Sequence, residues 1–114
     1  MISISYVLKT KPGMNLELLQ VMGSIIVNFQ NVEGCINIDF KQENLDKDQF
    51  YFRMDWQNNN FFESLLNSNE FDIFEGSINV LCHNPTVEFI GKDNRVITIV
   101  KKNYKRELLK EFNS

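Results

Sequence analysis

The chain has 114 residues, 43% of them hydrophobic and 24% charged, with a net charge of −3. A single domain of this length buries roughly 65% of its unfolded surface, so its ten phenylalanines can share one core without staples. The acidic balance argues against a nucleic-acid partner, because phosphate binding needs a concentrated basic surface.

Ile2, Ile4, Tyr6 and Leu8 alternate with Ser3, Ser5 and Val7, which predicts a half-buried first strand stopped by Pro12-Gly13. A helix is predicted from about Met14 to Gln30. Leu18, Met22, Ile25 and Phe29 form its apolar stripe, widened by Leu19 and Ile26. Gly34 turns the chain into a second strand, Cys35 to Lys41, expected to bury Ile36, Ile38 and Phe40. The polar stretch from Gln42 to Gln49 reads as a hairpin loop. The third strand, Phe50 to Trp56, places Phe50, Phe52, Met54 and Trp56 on one face and Tyr51, Arg53 and Asp55 on the other. So aromatic a face must lie mid-sheet under helices.

Asn58-Asn59-Asn60 caps a short helix, with Glu63 placed for a capping box from Asn60. Asn67-Ser68-Asn69 caps the next one, whose apolar stripe is Phe71, Phe74, Ile78 and Leu81, and Asn84-Pro85 ends it. Thr86 to Ile90 is a fourth strand. Gly91 to Asn94 turns into a fifth, Arg95 to Val100, and an amphipathic segment with Tyr104, Leu108, Leu109 and Phe112 on one side closes the chain. The order β-α-β-β-α-α-β followed by β-α predicts an α+β domain. Its antiparallel ferredoxin-like sheet carries helices on one face over residues 1–90, and residues 91–114 form a strand–helix extension of the same domain. The open face of the sheet then needs cover, which predicts a homodimer.

Few residues invite chemistry. Cys35 and Cys82 read as small buried hydrophobes of a reducing compartment. The N-terminus shows no signal-peptide pattern and no apolar run is long enough for a membrane span, so a cytoplasmic location is expected. His83 alone cannot build a metal site. No phosphate loop, nucleophile elbow or Cys/His pair supports nucleotide use or covalent hydrolysis. The basic cluster Lys101, Lys102, Lys105, Arg106 and Lys110 is broken by Glu107 and Glu111 and reads as a solvated helix face. Trp56 either lines a pocket with Phe52, stacking on a planar ligand, or belongs to the core. Tyr6 either hydrogen-bonds a ligand or reaches the sheet rim. Asn37, Asp39, Arg53 and Asp55 share the opposite face, where they are expected to satisfy one another rather than to act as acids and bases.

Four short stretches carry a resemblance to a known family. They are Lys11-Pro12-Gly13 before the first helix, Glu33-Gly34-Cys35 opening the second strand, Asp55-Trp56 closing the third, and Leu65-Leu66-Asn67-Ser68-Asn69-Glu70-Phe71 at the joint of the last two helices before the fourth strand. In this order they resemble the antibiotic biosynthesis monooxygenase domain, over residues 2 to about 90. The resemblance implies a dimeric α+β barrel with a pocket between sheet and helices in each subunit. Members oxidise aromatic polyketides without metal or flavin, degrade haem, or isomerise small signalling molecules. This chain departs from the haem-degrading pattern, with Tyr6, Leu65 and Glu75-Gly76-Ser77 where that branch has asparagine, tryptophan and the iron-ligating histidine. It also has Glu70 where a histidine often stands, and Phe52 in place of the pocket asparagine of the polyketide-oxidising branch.

The expectation is therefore a small cofactor-independent monooxygenase for an aromatic or apolar small molecule. Phe52, Trp56, Phe71 and Phe74 form its substrate wall, Tyr6 is its catalytic hydrogen-bond donor, and no residue binds a cofactor or metal. The alternative is a non-catalytic ligand-binding or structural homodimer of the same fold.

Overall fold

The computed structural model describes residues 1–102 and 104–112, the side chain of Phe112 excepted. Nine elements follow in chain order: β1 (Ile2–Lys9), α1 (Asn15–Gln30), β2 (Cys35–Gln42), β3 (Gln49–Trp56), α2 (Asn59–Leu66), α3 (Asn69–Leu81), β4 (Thr86–Ile90), β5 (Val96–Val100) and α4 (Tyr104–Phe112). The five strands form one antiparallel sheet in the order β2-β3-β1-β4-β5. The first four strands have the ferredoxin-like arrangement, and β5 is added outside β4. The aromatic strand β3 is mid-sheet, as its composition requires, and β1 is the centre.

Register decides which side chains meet. Tyr6 stands opposite Phe52 on one side and Val87 on the other, and Ile4 opposite Met54 and Phe89. Because side chains alternate across a strand, Ile2, Ile4, Tyr6, Leu8, Phe50, Phe52, Met54, Trp56, Val87 and Phe89 all face the helices and are buried. Leu18, Met22, Ile25 and Phe29 of α1 and Phe71, Phe74, Ile78 and Leu81 of α3 close the core from above.

Local chemistry explains the boundaries. Asn58 caps α2 by accepting from Phe61 N at 3.1 Å, so Glu63 lies two residues beyond the capping-box position and the expected pairing from Asn60 does not form. Ser68 caps α3 by accepting from Phe71 N at 3.2 Å. That helix stops at Leu81 rather than at Pro85, because Cys82 turns extended and bridges to Thr10 while His83 N donates to Lys9 O at 2.9 Å.

Ile36, expected inside, is 56% exposed. The register slips between Cys35 and Asn37, and a bulge sends one side chain to the other face. Leu19 is likewise exposed at the rim of α1, and Cys35 is half-buried whereas Cys82 is buried. Gly34 takes φ +91°, and a Cβ there would lie 2.3 Å from the Phe61 ring.

Of the closing helix, Tyr104 and Leu108 are buried and Leu109 half-buried. The expected burial of Phe112 lies outside the described residues. Among the described residues no helix is long and apolar enough to cross a membrane.

Candidate functional site

The site expected from the sequence can be built residue by residue. Direct opposition across the β1–β3 ladder brings Tyr6 and Phe52 together, ring centres 5.8 Å apart. The Ser68 cap starts α3 so that Phe71 and Phe74, three apart, share its inward face. Their rings are 5.7 Å apart. Phe74 then meets Tyr6 edge-on at 5.2 Å and Phe52 at 5.3 Å. Four of the five expected residues thus form one aromatic cluster, each no more than 1% exposed.

Trp56 does not join it. It lies two positions beyond Met54 on the same face of β3 and packs on Phe62 at 6.1 Å, which stacks on Phe89. Its indole Nε1 is buried without a hydrogen-bond partner.

Two polar groups enter the Tyr6 cluster that the sequence did not mark as site residues. The hydroxyls of Tyr6 and Tyr104 are hydrogen-bonded at 3.2 Å, and the Tyr104 ring meets Tyr6 edge-on at 5.4 Å and Phe71 at 6.3 Å. Burial pushes both phenols far above the usual tyrosine range, so both stay protonated. Glu75, half-buried beside Phe74 in α3, has its carboxyl pushed up by burial, and its charge raises both phenols further. The available signal for Tyr104 was a phenol on the apolar side of a helix, since a buried hydroxyl must find a partner. For Glu75 it was a carboxylate adjoining a buried phenylalanine.

The opposite face of the sheet is polar at one side. Asp55 accepts from Ser3 Oγ at 2.6 Å and from Arg53 Nε at 3.1 Å, and Arg53 also donates to Ser3 Oγ at 3.3 Å. Beside them Tyr51 donates to Glu43 at 3.1 Å and lies under the Lys41 ammonium. Ser5, Val7, Asp39, Lys41, Tyr51 and Arg53 border a shallow hollow of about 220 Å³. On the β4–β5 side this face is mixed, with Val96 and Val100 exposed beside Glu88 and Thr98. Among the described residues no group of three or more His, Cys, Asp or Glu could hold a metal ion.

No protein-family profile matches the sequence, and no curated protein matches it. Solved structures do match in shape. SnoaB, a cofactor-independent oxygenase from Streptomyces nogalater solved as a mutant, aligns at a TM-score of 0.70 with 12% identity, over 77% of this chain and 88% of that one. A candidate antibiotic biosynthesis monooxygenase from Nitrosomonas europaea aligns at 0.74 with 9% identity, over 80% and 97%. A further antibiotic biosynthesis monooxygenase aligns at 0.71 with 17% identity, over 78% and 95%. These identities speak for the fold and leave the chemistry to the residues of this chain. Strand order, helix placement and these superpositions agree: the chain has the ferredoxin-like fold of the antibiotic biosynthesis monooxygenases.

Proposed function

We propose that the protein is a small cofactor-independent monooxygenase acting on a planar, electron-rich aromatic molecule held between sheet and helices. The observation that carries this reading is the buried Tyr6–Tyr104 phenol pair beside Glu75, set in a box of Phe52, Phe71 and Phe74. A core that only had to be filled would be cheaper in phenylalanine or leucine, because each buried hydroxyl needs a partner. In this reading Tyr6, held protonated, donates to the substrate oxygen, and the aromatic walls stack on the ring and exclude water. The substrate supplies the electrons and dioxygen is the oxidant, one oxygen atom entering the substrate and the other leaving as water. Two copies pair through the polar sheet face around Arg53 and Asp55.

A second reading, a non-catalytic homodimer, is favoured by the near-zero exposure of Phe52, Trp56, Phe71 and Phe74. Oxygen uptake separates the two. Air-saturated, EDTA-treated protein is mixed with anthrone, naphthols and naphthohydroquinones. Uptake above the uncatalysed rate, slowed about 10²-fold by Tyr6→Phe, supports the enzyme. Binding of these compounds with no added uptake favours the second reading.

A further inference from the structure

The last helix covers the Tyr6 cluster through few ties. Among the described residues only Tyr104 and Leu108 of α4 are fully buried. Leu109 packs half-buried against the core, the Lys105 ammonium lies 5.9 Å from the centre of the Phe71 ring, and the remaining ties are nearer the surface. Lys105 pairs with Asp72 of α3 at 3.3 Å, Arg95 with Glu111 at 2.9 Å, and Lys101 with Glu107 at 2.9 Å. Lys102 Nζ donates to Asn79 O at 3.2 Å. Solvent-exposed pairs of this kind add little to docking.

Inside, Tyr104 supplies what an aromatic ligand would supply. Its ring stands edge-on to Tyr6 (5.4 Å, 80°) and to Phe71 (6.3 Å, 76°), and its hydroxyl meets the Tyr6 hydroxyl. We infer that α4 is a displaceable plug: Tyr104 stands in the ligand's place, and a hydroxylated planar aromatic molecule enters by lifting α4 off Tyr6 and Phe71. The inference rests on reading the cluster as a small-molecule site.

Plug and ligand then compete, and linkage makes the competition reciprocal. A change that weakens α4 docking strengthens ligand binding, and bound ligand exposes α4. Lys101, Lys102, Lys105 and Arg106 provide tryptic sites on this segment. The test uses the full chain and its Leu108→Ala variant, which loosens α4 without altering a ring of the cluster, with 2-naphthol as probe. Saturable acceleration of cleavage at these sites by 2-naphthol, and about tenfold tighter binding to the variant, is the expected result. Binding with unchanged cleavage and equal affinity for both proteins overturns the plug and leaves the small-molecule site standing. Absence of binding to either protein overturns the site and the plug with it. Should the variant fail to fold, the cleavage of the full wild-type chain decides alone.

Discussion

Tyr6 in the first strand and Tyr104 in the last helix, 98 positions apart, are joined by a buried hydrogen bond of 3.2 Å. It ties the added C-terminal segment to the centre of the sheet. A hydrogen bond between neutral groups contributes about 1 kcal/mol net, whereas a buried hydroxyl left alone costs about 1–3 kcal/mol. Tyr6→Phe and Tyr104→Phe should each destabilise by about 1–2 kcal/mol. The double variant should lose less than the sum, with a coupling of about 1 kcal/mol. Urea denaturation of the four proteins measures it, and strict additivity would mean that the hydroxyls do not interact.

Glu75 carries a pH dependence of definite sign. Burial raises its folded-state pKa above the ordinary value of 4.5. The stability it contributes is therefore fully present below the unfolded value and is lost as pH rises through the folded value. Asp46 and Glu107, lowered by Lys9 and Lys101, act in the opposite sense and lose their contribution as pH falls. The difference in melting temperature between wild type and Glu75→Gln isolates the first effect. The variant should gain on the wild type from pH 4.5 upward and level off once Glu75 has ionised. A difference independent of pH would show that Glu75 keeps its ordinary pKa.

Two glycines make opposite predictions. Gly34→Ala forces a left-handed backbone and drives a Cβ to 2.3 Å from Phe61, for a loss of about 2–4 kcal/mol. Gly23, inside α1, has open space around it, so Gly23→Ala should stabilise by up to about 1 kcal/mol through helix propensity alone. Chemical denaturation of both variants checks the pair.

The proposed dimer is tested by its mass. Light scattering at micromolar concentration should give about twice the chain mass. Val7 sits half-exposed at the middle of the open face, between Tyr51 and Thr86. Val7→Asp should therefore halve the mass while leaving the fold intact. A wild-type monomer under these conditions would remove the dimer from the reading.

How much of this was legible in the sequence depended on the range of the interaction. Phe50, Phe52 and Met54 announced a covered mid-sheet strand because period-two alternation is a local property. Ile36 misled because a bulge leaves no mark in the residues themselves. Phe52 and Trp56 were read as one wall since they share a face, yet four residues of strand separate them by about 13 Å, so each has its own ring neighbours. The partner of Tyr6 was out of reach, since nothing local links position 6 to position 104.

The placement of β1 has a consequence for how the chain is made. Its two ladder partners are β3, ending at Trp56, and β4, ending at Ile90, so the central strand leaves the ribosome before either of them and is completed only when β4 emerges. The 34 residues from Trp56 to Ile90 (90 − 56) take roughly 2–7 s to add at bacterial to eukaryotic elongation rates. Throughout that interval one edge of β1, with Ile4, Tyr6 and Leu8, has no strand beside it. Nascent chains stalled before Thr86 should bind holdase chaperones, and those carried past Val100 should not.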